Sequence, residues 1–420
     1  MRSNEKSSLQ IEEVASQDEN EKSLSQIATA IPLPPPLSSW RHWYRAFTHV
    51  LPVYIAVHLA FIITTVFSQL FILQDFSAKA LPLHILWEAW YHYDAKGYIG
   101  TAMQGYNTLS KSAIFPLYPF LIKCITFLIP NPLLAAPMIS DLAGLILLVV
   151  LYRLVQEDFD AVRAYRTILY LSLFPSAFFL AAAYSESVFL CLILLSFYHM
   201  RRGHWWLAAA FGFLASFTRS AGILILLPFL YEYLHQHRFQ LKAIRFDIMS
   251  GVCIPSALGL FALYCYFRFH DPLAFSHVEQ HFWMRQLAFP GYGMLLSFES
   301  ILHSPGLLSF RALRNILEVG ADLFILSLIV LSFIGPWKFP RHLWSYSIYA
   351  VTFYLFLQLF PVKNAFPLES TARYMLEIFP AFIVLAGVGK SRMLNLNYLV
   401  ISGALLFFLL TQFLLGHWIT

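Results

Sequence analysis

Four short segments carry ionisable residues where the surrounding sequence is apolar. Residues 87–106 read WEAWYHYDAKGYIGTAMQGY, with the carboxylate Asp94 among four tyrosines and two tryptophans. AAAYSES at 181–187 holds Glu186 between two hydrophobic runs, beside Tyr184 and Ser185. FTRSAG at 217–222 holds Arg219, and ESTARY at 369–374 holds Arg373 and Tyr374, with Lys363 nearby. An ionisable group in membrane-embedded sequence is expensive and marks a functional site by default. Two carboxylates and two guanidiniums suit chemistry in which a hydroxyl is deprotonated and a phosphate is held by planar, bidentate donors.

Each segment also has a plainer reading. Asp94 is either a general base or the N-cap of a short interfacial helix starting near Ala95. Its neighbours His92 and Tyr93 read as residues of an interfacial aromatic belt, and Glu88 is a second carboxylate that competes for the role of base. Glu186 either positions a substrate hydroxyl or an arginine, or lies in an aqueous turn where its charge costs nothing. Arg219 is either a phosphate ligand or the ion-pair partner of Glu186, holding two helices together. Arg373 is either a second cationic point or a snorkelling residue, its stem in lipid and its head in water.

These residues must be positioned by membrane helices. Of 420 residues, 59% are hydrophobic and 12% charged, with a mean hydropathy of +0.63. Soluble domains carry roughly 25% charged residues, so a chain this apolar is polytopic. The net charge of +5 is small for the length and fits basic inward-facing loops better than a nucleic-acid surface. Apolar stretches fall at about 47–73, 113–129, 133–152, 167–183, 186–199, 205–217, 219–234, 248–267, 319–336, 343–361, 374–388 and 397–416. This predicts an all-α integral membrane bundle with about 11–12 hydrophobic segments, several of them below the roughly 20 residues of a straight span. Residues 1–40, polar and then proline-rich, read as a disordered tail, and 41–420 as one membrane domain.

Arg41 and Arg45 precede the first span and place the N-terminus inside, so the loop at 74–112 with Asp94 is extracytoplasmic. The basic clusters Arg153/Arg163/Arg166, Arg201/Arg202, Arg238/Lys242/Arg245, Lys338/Arg341 and Lys390/Arg392 all fall inside on one condition. The stretch 113–129 must not cross fully. Pro116 and Pro119 break it and Lys123 lies within it, which favours a re-entrant segment. Asp94, Glu186, Arg219 and Arg373 then share the outer face.

Other chemistries find little support. Cys124, Cys191, Cys253 and Cys265 lie in apolar segments without CxxC spacing. His277 and His281 have i, i+4 spacing but no HExxH context, and neither a Walker A motif nor GxGxxG is present.

In combination, DAKGYIGTAMQGY at 94–106, AIFPLYP at 113–119, AYSES at 183–187, FTRSAG at 217–222 and RYMLEIFP at 373–380 resemble the PIG-V family. That family holds the GPI mannosyltransferase 2 type proteins and their prokaryotic relatives, within the GT-C superfamily of polytopic glycosyltransferases. The similarity touches about 45–390. It implies an extracytoplasmic or luminal active site and a polyprenyl-phosphate sugar donor, mannose, inverted on transfer to a glycan or glycolipid hydroxyl. Asp94 matches the acidic residue of the family's W-D-A-x-x-Y pattern and Tyr98 its last residue, with Tyr93 in place of the tryptophan. Tyr184, Ser185 and Glu186 match the Y-S-E segment, and Arg219 the T-R segment. The resemblance implies Asp94 as base, with Tyr98, Tyr184, Ser185, Glu186, Arg219, Arg373 and Tyr374 around the substrate. No cofactor is expected, and no essential metal, because the leaving group carries a single phosphate that arginine can neutralise. The membrane is the plasma membrane in a prokaryote and the endoplasmic reticulum in a eukaryote. The rival class is a transporter or flippase for a lipid-linked anion, which predicts internal repeats and polar groups near mid-membrane. A third is a catalytically inactive relative that stabilises a partner, against which the retained Asp94 argues.

Overall fold

The computed structural model describes residues 40–72 and 82–418. The tail expected over 1–40 therefore lies outside the described residues, except for Trp40, which opens the first helix. Apolar sequence in lipid satisfies its backbone within the helix. The described residues are accordingly helical, apart from loops and an isolated antiparallel bridge between Arg285 and Val362.

The chain opens with α1 (Trp40–Ile72), α2 (Asp94–Gln104) and α3 (Leu117–Thr126). It continues through α4 (Pro132–Asp158), α5 (Ala161–Ser172), α6 (Glu186–Met200), α7 (Trp205–Thr218), α8 (Leu226–Gln236) and α9 (Cys253–Phe269). The short α10 (Ala274–His281) and α11 (Tyr292–Leu302) precede α12 (Phe310–Leu331) and α13 (Trp344–Gln358). A single turn, α14 (Thr371–Tyr374), then leads to α15 (Phe379–Val388) and α16 (Arg392–Leu414). Local sequence sets the starts. Asn131 accepts from Leu133 N and Pro132 opens α4, while Asp160 accepts from Arg163 N at the head of α5.

α1, α4, the run Phe246–Phe269 and α16 are each long and apolar enough to cross a bilayer. Thr371–Glu377 and Phe379–Val388 together are also apolar and long enough but bent by 80°, as a broken span or a re-entrant loop is. The chain is a multi-pass membrane protein. Other expected segments are shorter helices: α6 has 15 residues and α7 has 14, and their ends run into turns buried in the bundle.

Helix α6 serves as a ruler. Glu186 at its first residue and Arg201 at its C-cap each join a charge network, about 22 Å apart at 1.5 Å per residue. At the Arg201 end the guanidinium meets Asp158 at 2.7 Å and Glu232 at 3.0 Å, locking α4, α6 and α8 together. Ser345 donates to Glu232 at 2.9 Å and Tyr346 donates to Asp158, adding α13. Glu157 joins Arg153 and Arg202 at the same end. Arg201 also donates to His342 O at 2.9 Å, and Tyr231 on α8 to Arg341 O at 2.9 Å. The basic clusters around Arg153, Arg201/Arg202 and Arg341 thus gather at the end away from Glu186.

The 113–129 stretch holds one short α-helix. α3 has 10 residues, about 15 Å, against a hydrocarbon thickness of roughly 30 Å. Tyr118 near its start donates to Ala136 O at 3.0 Å and shares a 2.7 Å bond with Ser140 Oγ, both in the first half of α4. Ser140 in turn donates to Tyr184 O at 3.0 Å. α3 therefore packs beside the Glu186 end.

Candidate active site

Four distant pieces of chain meet at the Glu186 end. Asp94 is the first residue of α2, and Arg373 lies in α14. Arg373 Nη1 donates to Asp94 Oδ2 at 2.8 Å, and its Nε lies 3.2 Å from Glu186 Oε1. The same Glu186 oxygen lies 3.0 Å from Arg219 Nη1, which donates to Glu377 Oε1 at 2.6 Å. The result is a chain of alternating charge: Asp94, Arg373, Glu186, Arg219, Glu377. Glu186 and Glu377 side chains are 1% exposed, Arg373 4% and Arg219 16%, while Asp94 is 38% exposed. Buried charges persist when paired. Here the pairing runs inward from one carboxylate that reaches solvent.

Aromatic rings wall the chain. The Arg373 guanidinium lies 4.8 Å from the Tyr374 ring, 5.3 Å from those of Phe179 and Tyr184, and 5.4 Å from that of Trp418. Its Nη2 donates to Tyr374 OH at 2.8 Å, and Arg219 lies 4.7 Å from the same ring. Tyr98 OH and Ser185 Oγ are 2.8 Å apart. Burial lifts the Tyr98 hydroxyl pKa above its ordinary value, the Glu186 carboxylate adds to the rise, and Tyr98 stays a neutral phenol. The Tyr184 hydroxyl donates to His92 O at 3.4 Å.

The backbone aims both halves of the outermost pair. Tyr93, immediately before Asp94, has φ +48°, and Ser370, at the N-cap of α14, has φ +68°. Neither is glycine, and such positions typically cost of order 1–3 kcal/mol. The Tyr93 hydroxyl donates to Gly416 O, and its ring lies 4.6 Å from that of Trp418, holding the strained turn against the end of α16.

All eight residues expected around a substrate thus fall in or beside one cluster. Several plainer readings resolve. The N-cap of α2 is Tyr93, not Asp94, and the Asp94 carboxylate engages Arg373. Arg373 does not snorkel, because its guanidinium is buried among carboxylates and rings. The Arg219–Glu186 ion pair is formed. Glu88 pairs with His84 at 3.8 Å, outside the charge chain, and Lys363 also lies outside it. His277 contacts Asp271 at 2.7 Å, whereas His281 turns to His277 O at 2.7 Å, so the two rings do not converge. Among the described residues no three His, Cys, Asp or Glu side chains are grouped to hold a metal ion.

Two further carboxylates escape sequence reasoning. Glu377 sits in RYMLEIFP inside an apolar run, the same signal that marks Glu186. Glu279 on α10 pairs with Arg285 at 3.4 Å. Its side chain is 43% accessible, yet it is enclosed enough that desolvation raises its pKa against the pull of Arg285. Asp94, Arg219 and Arg373 contribute to its electrostatic surroundings. A carboxylate in a polar, aromatic loop carries no such signal in sequence.

Residues 111–255, less than half of the chain, match the family model described as dolichyl-phosphate-mannose-protein mannosyltransferase. That region holds Glu186 and Arg219 but neither Asp94 nor Arg373. Among solved structures, ArnT from Cupriavidus metallidurans bound to undecaprenyl phosphate superposes with a TM-score of 0.51 at 15% identity. The match covers 84% of this chain and 62% of ArnT, so the chain spans less than two thirds of that protein's length. The apo oligosaccharyltransferase of Archaeoglobus fulgidus is also similar, with a TM-score of 0.45 at 12% identity, over 91% of this chain and 57% of that one. No curated protein matches the chain. The fold is a polytopic helical bundle similar to that of ArnT.

Proposed function

We infer that the chain is a membrane glycosyltransferase that moves a sugar from a polyprenyl-phosphate donor to an acceptor hydroxyl at the extracytoplasmic or luminal face. One observation carries this reading: Asp94 is the solvent-reaching end of a buried chain of alternating charge. A general base must reach its proton while being held in place by groups that do not move, and Asp94 meets both requirements.

In the proposed step the acceptor O–H proton passes to Asp94 as the acceptor oxygen forms a bond to the sugar C1. The C1–O bond to the phosphate breaks, the anomeric centre inverts, and polyprenyl phosphate leaves with the bonding pair. Arg373 couples the two events. While Asp94 is ionised it occupies Arg373 at 2.8 Å. On taking the proton Asp94 becomes neutral, and the guanidinium field turns to the phosphate as charge develops there. Arg219, compensated by Glu186 and Glu377, adds a second fixed positive centre behind it. Tyr98, Ser185, Tyr184 and Tyr374 line the approach as neutral hydrogen-bonding groups.

The sugar is proposed to be mannose and the acceptor a glycan or glycolipid. The described match to a mannosyltransferase family model and the resemblance to the PIG-V pattern support that choice. A single phosphate facing two arginines leads us to propose transfer without an essential metal. The test is transfer of labelled mannose from polyprenyl-phosphate-mannose, by the purified protein in lipid with a crude glycolipid acceptor extract. Transfer by the wild type and its loss in a well-folded Asp94→Asn variant supports the reading. Equal transfer by both removes Asp94 as base, and absence of transfer from every lipid-phosphate sugar tried removes the reaction class.

A further inference from the structure

A second concavity lies apart from the charge chain. Its cavity, about 490 Å³, sits between α11, the first turn of α12 and the 361–367 segment. That size is typical of small-ligand sites. Residues 284–288 wall it off, pairing with 359–363: Lys363 N donates to Met284 O at 3.0 Å, Gln286 N to Pro361 O at 3.2 Å and Ala288 N to Leu359 O at 2.9 Å. Gln286, Leu287 and Ala288 line the cavity. Arg285 from the same ribbon donates instead to Phe360 O at 3.1 Å and lies 5.9 Å from the Tyr374 ring.

The cations of this cavity differ from those of the charge chain. Arg201, Arg219, Arg285, Arg314 and Arg373 each face a carboxylate within ion-pair distance. Arg311 and Lys363 line the cavity together with Glu299, and among the described residues neither cation has a carboxylate within ion-pair distance. Arg311 is nevertheless fixed. Its Nε donates to Ser300 Oγ at 2.8 Å, and Ser300 donates to Ala365 O at 2.8 Å. A buried serine thus pins a guanidinium at a cavity wall, where two cations face the single carboxylate of Glu299. His303 and Asn364 add polar groups to the same lining. Fixed planar donors beside a mobile ammonium suit a phosphate.

The surroundings are apolar and exposed. Leu302 is 82% exposed, Leu308 89%, Phe310 60% and Leu287 71%. In a multi-pass membrane protein an exposed apolar patch is a surface on which acyl chains can lie. The geometry points to a binding site for the phosphate-bearing head group of a membrane lipid. The phosphate sits between Arg311 and Lys363, and the chains lie along Leu287, Leu302, Leu308 and Phe310.

The test uses the full chain in phosphatidylcholine nanodiscs and reads bound lipid by native mass spectrometry, independently of any transfer activity. The probe is dioleoyl phosphatidic acid, compared with dioleoylglycerol and with millimolar inorganic phosphate as competitor. Retention of phosphatidic acid, little retention of dioleoylglycerol and no displacement by inorganic phosphate are expected. The pair R311Q/K363Q should lower retention at least tenfold. K390Q, which removes a cation elsewhere, and R311K, which keeps the charge, should retain most of it. Equal retention by R311Q/K363Q and the wild type overturns the site. Equal retention of dioleoylglycerol overturns the phosphate requirement, and displacement by inorganic phosphate overturns the lipid in favour of a soluble phosphate.

Discussion

Asp94 and Arg373 are 279 residues apart in the chain and meet at 2.8 Å, with Arg373 4% exposed and Asp94 38% exposed. The arginine also holds Glu186, which without it would keep Arg219 alone, and the carboxylate is presented to solvent by a turn held at positive φ. In the proposed reaction this pair is the point where proton uptake and charge relief are joined.

The first prediction isolates that pair. Asp94→Asn keeps a group able to accept from Arg373 but removes the base. Removal of a positioned base typically costs about 10²–10⁴-fold in rate. The expected outcome is loss of that size in kcat, with the melting temperature in detergent within a few degrees of wild type. A large fall in melting temperature would instead assign Asp94 a structural role.

Glu377 tests whether the inner end of the charge chain is structural. It is 1% exposed and holds Arg219 at 2.6 Å. Breaking a buried pair from one side typically costs about 3–5 kcal/mol because it leaves an uncompensated charge. Glu377→Ala is expected to approach the lower end of that range, since Glu186 still faces Arg219. Denaturant-induced unfolding in mild detergent measures it, and an unchanged midpoint would contradict the assignment.

The charge chain was only partly legible in the sequence. Asp94, Glu186 and Arg219 stand out because a charge beside apolar residues is costly and needs a reason. Their convergence was suggested by a common side of the membrane, which depended on α3 failing to cross. Its prolines argued for that, and α3 is ten residues long. The partners were not legible: that Arg373 meets Asp94 and Glu186 follows from how α14 packs against α2 and α6. Glu279 lay in a loop whose composition distinguishes nothing, and the cavity lined by Arg311 and Lys363 arises from a ribbon pairing distant segments.

Tyr98 and Ser185 provide a graded probe. Their 2.8 Å contact joins α2 to the residue before α6. Tyr98→Phe and Ser185→Ala should each cost about 1 kcal/mol of stability. The double variant should cost less than the sum, because both remove one bond. The same variants should raise KM more than they lower kcat if the two hydroxyls position substrate. Strict additivity in unfolding experiments would show that the bond contributes nothing.

The network at the far end separates stability from catalysis. Arg201 bridges Asp158 and Glu232 about 22 Å from Glu186. Arg201→Ala strands two buried carboxylates and should destabilise by about 3–5 kcal/mol. The specific activity of the folded fraction should stay within about twofold of wild type, since sites this distant couple weakly. A proportionate loss of turnover by fully folded protein would place the network in the reaction cycle.

Gly222 tests how finely Arg219 must be placed. It follows Arg219 by three residues, and its amide donates to Arg219 O at 2.9 Å. A Cβ at this position would collide with backbone atoms of Ala215 and Ser216 in the last turn of α7, atoms that cannot rotate aside. Gly222→Ala must therefore shift the turn that carries Arg219, whose guanidinium is held between Glu186 and Glu377. A displacement near 1 Å in a catalytic constellation can cost about 100-fold in rate. The expected result is a fall of that order in kcat/KM, together with a lower melting temperature. Ala221→Gly, which relieves rather than adds bulk in the same turn, should lower the rate far less. Equal effects of the two variants would mean that general loosening of the turn, not the placement of Arg219, sets the loss.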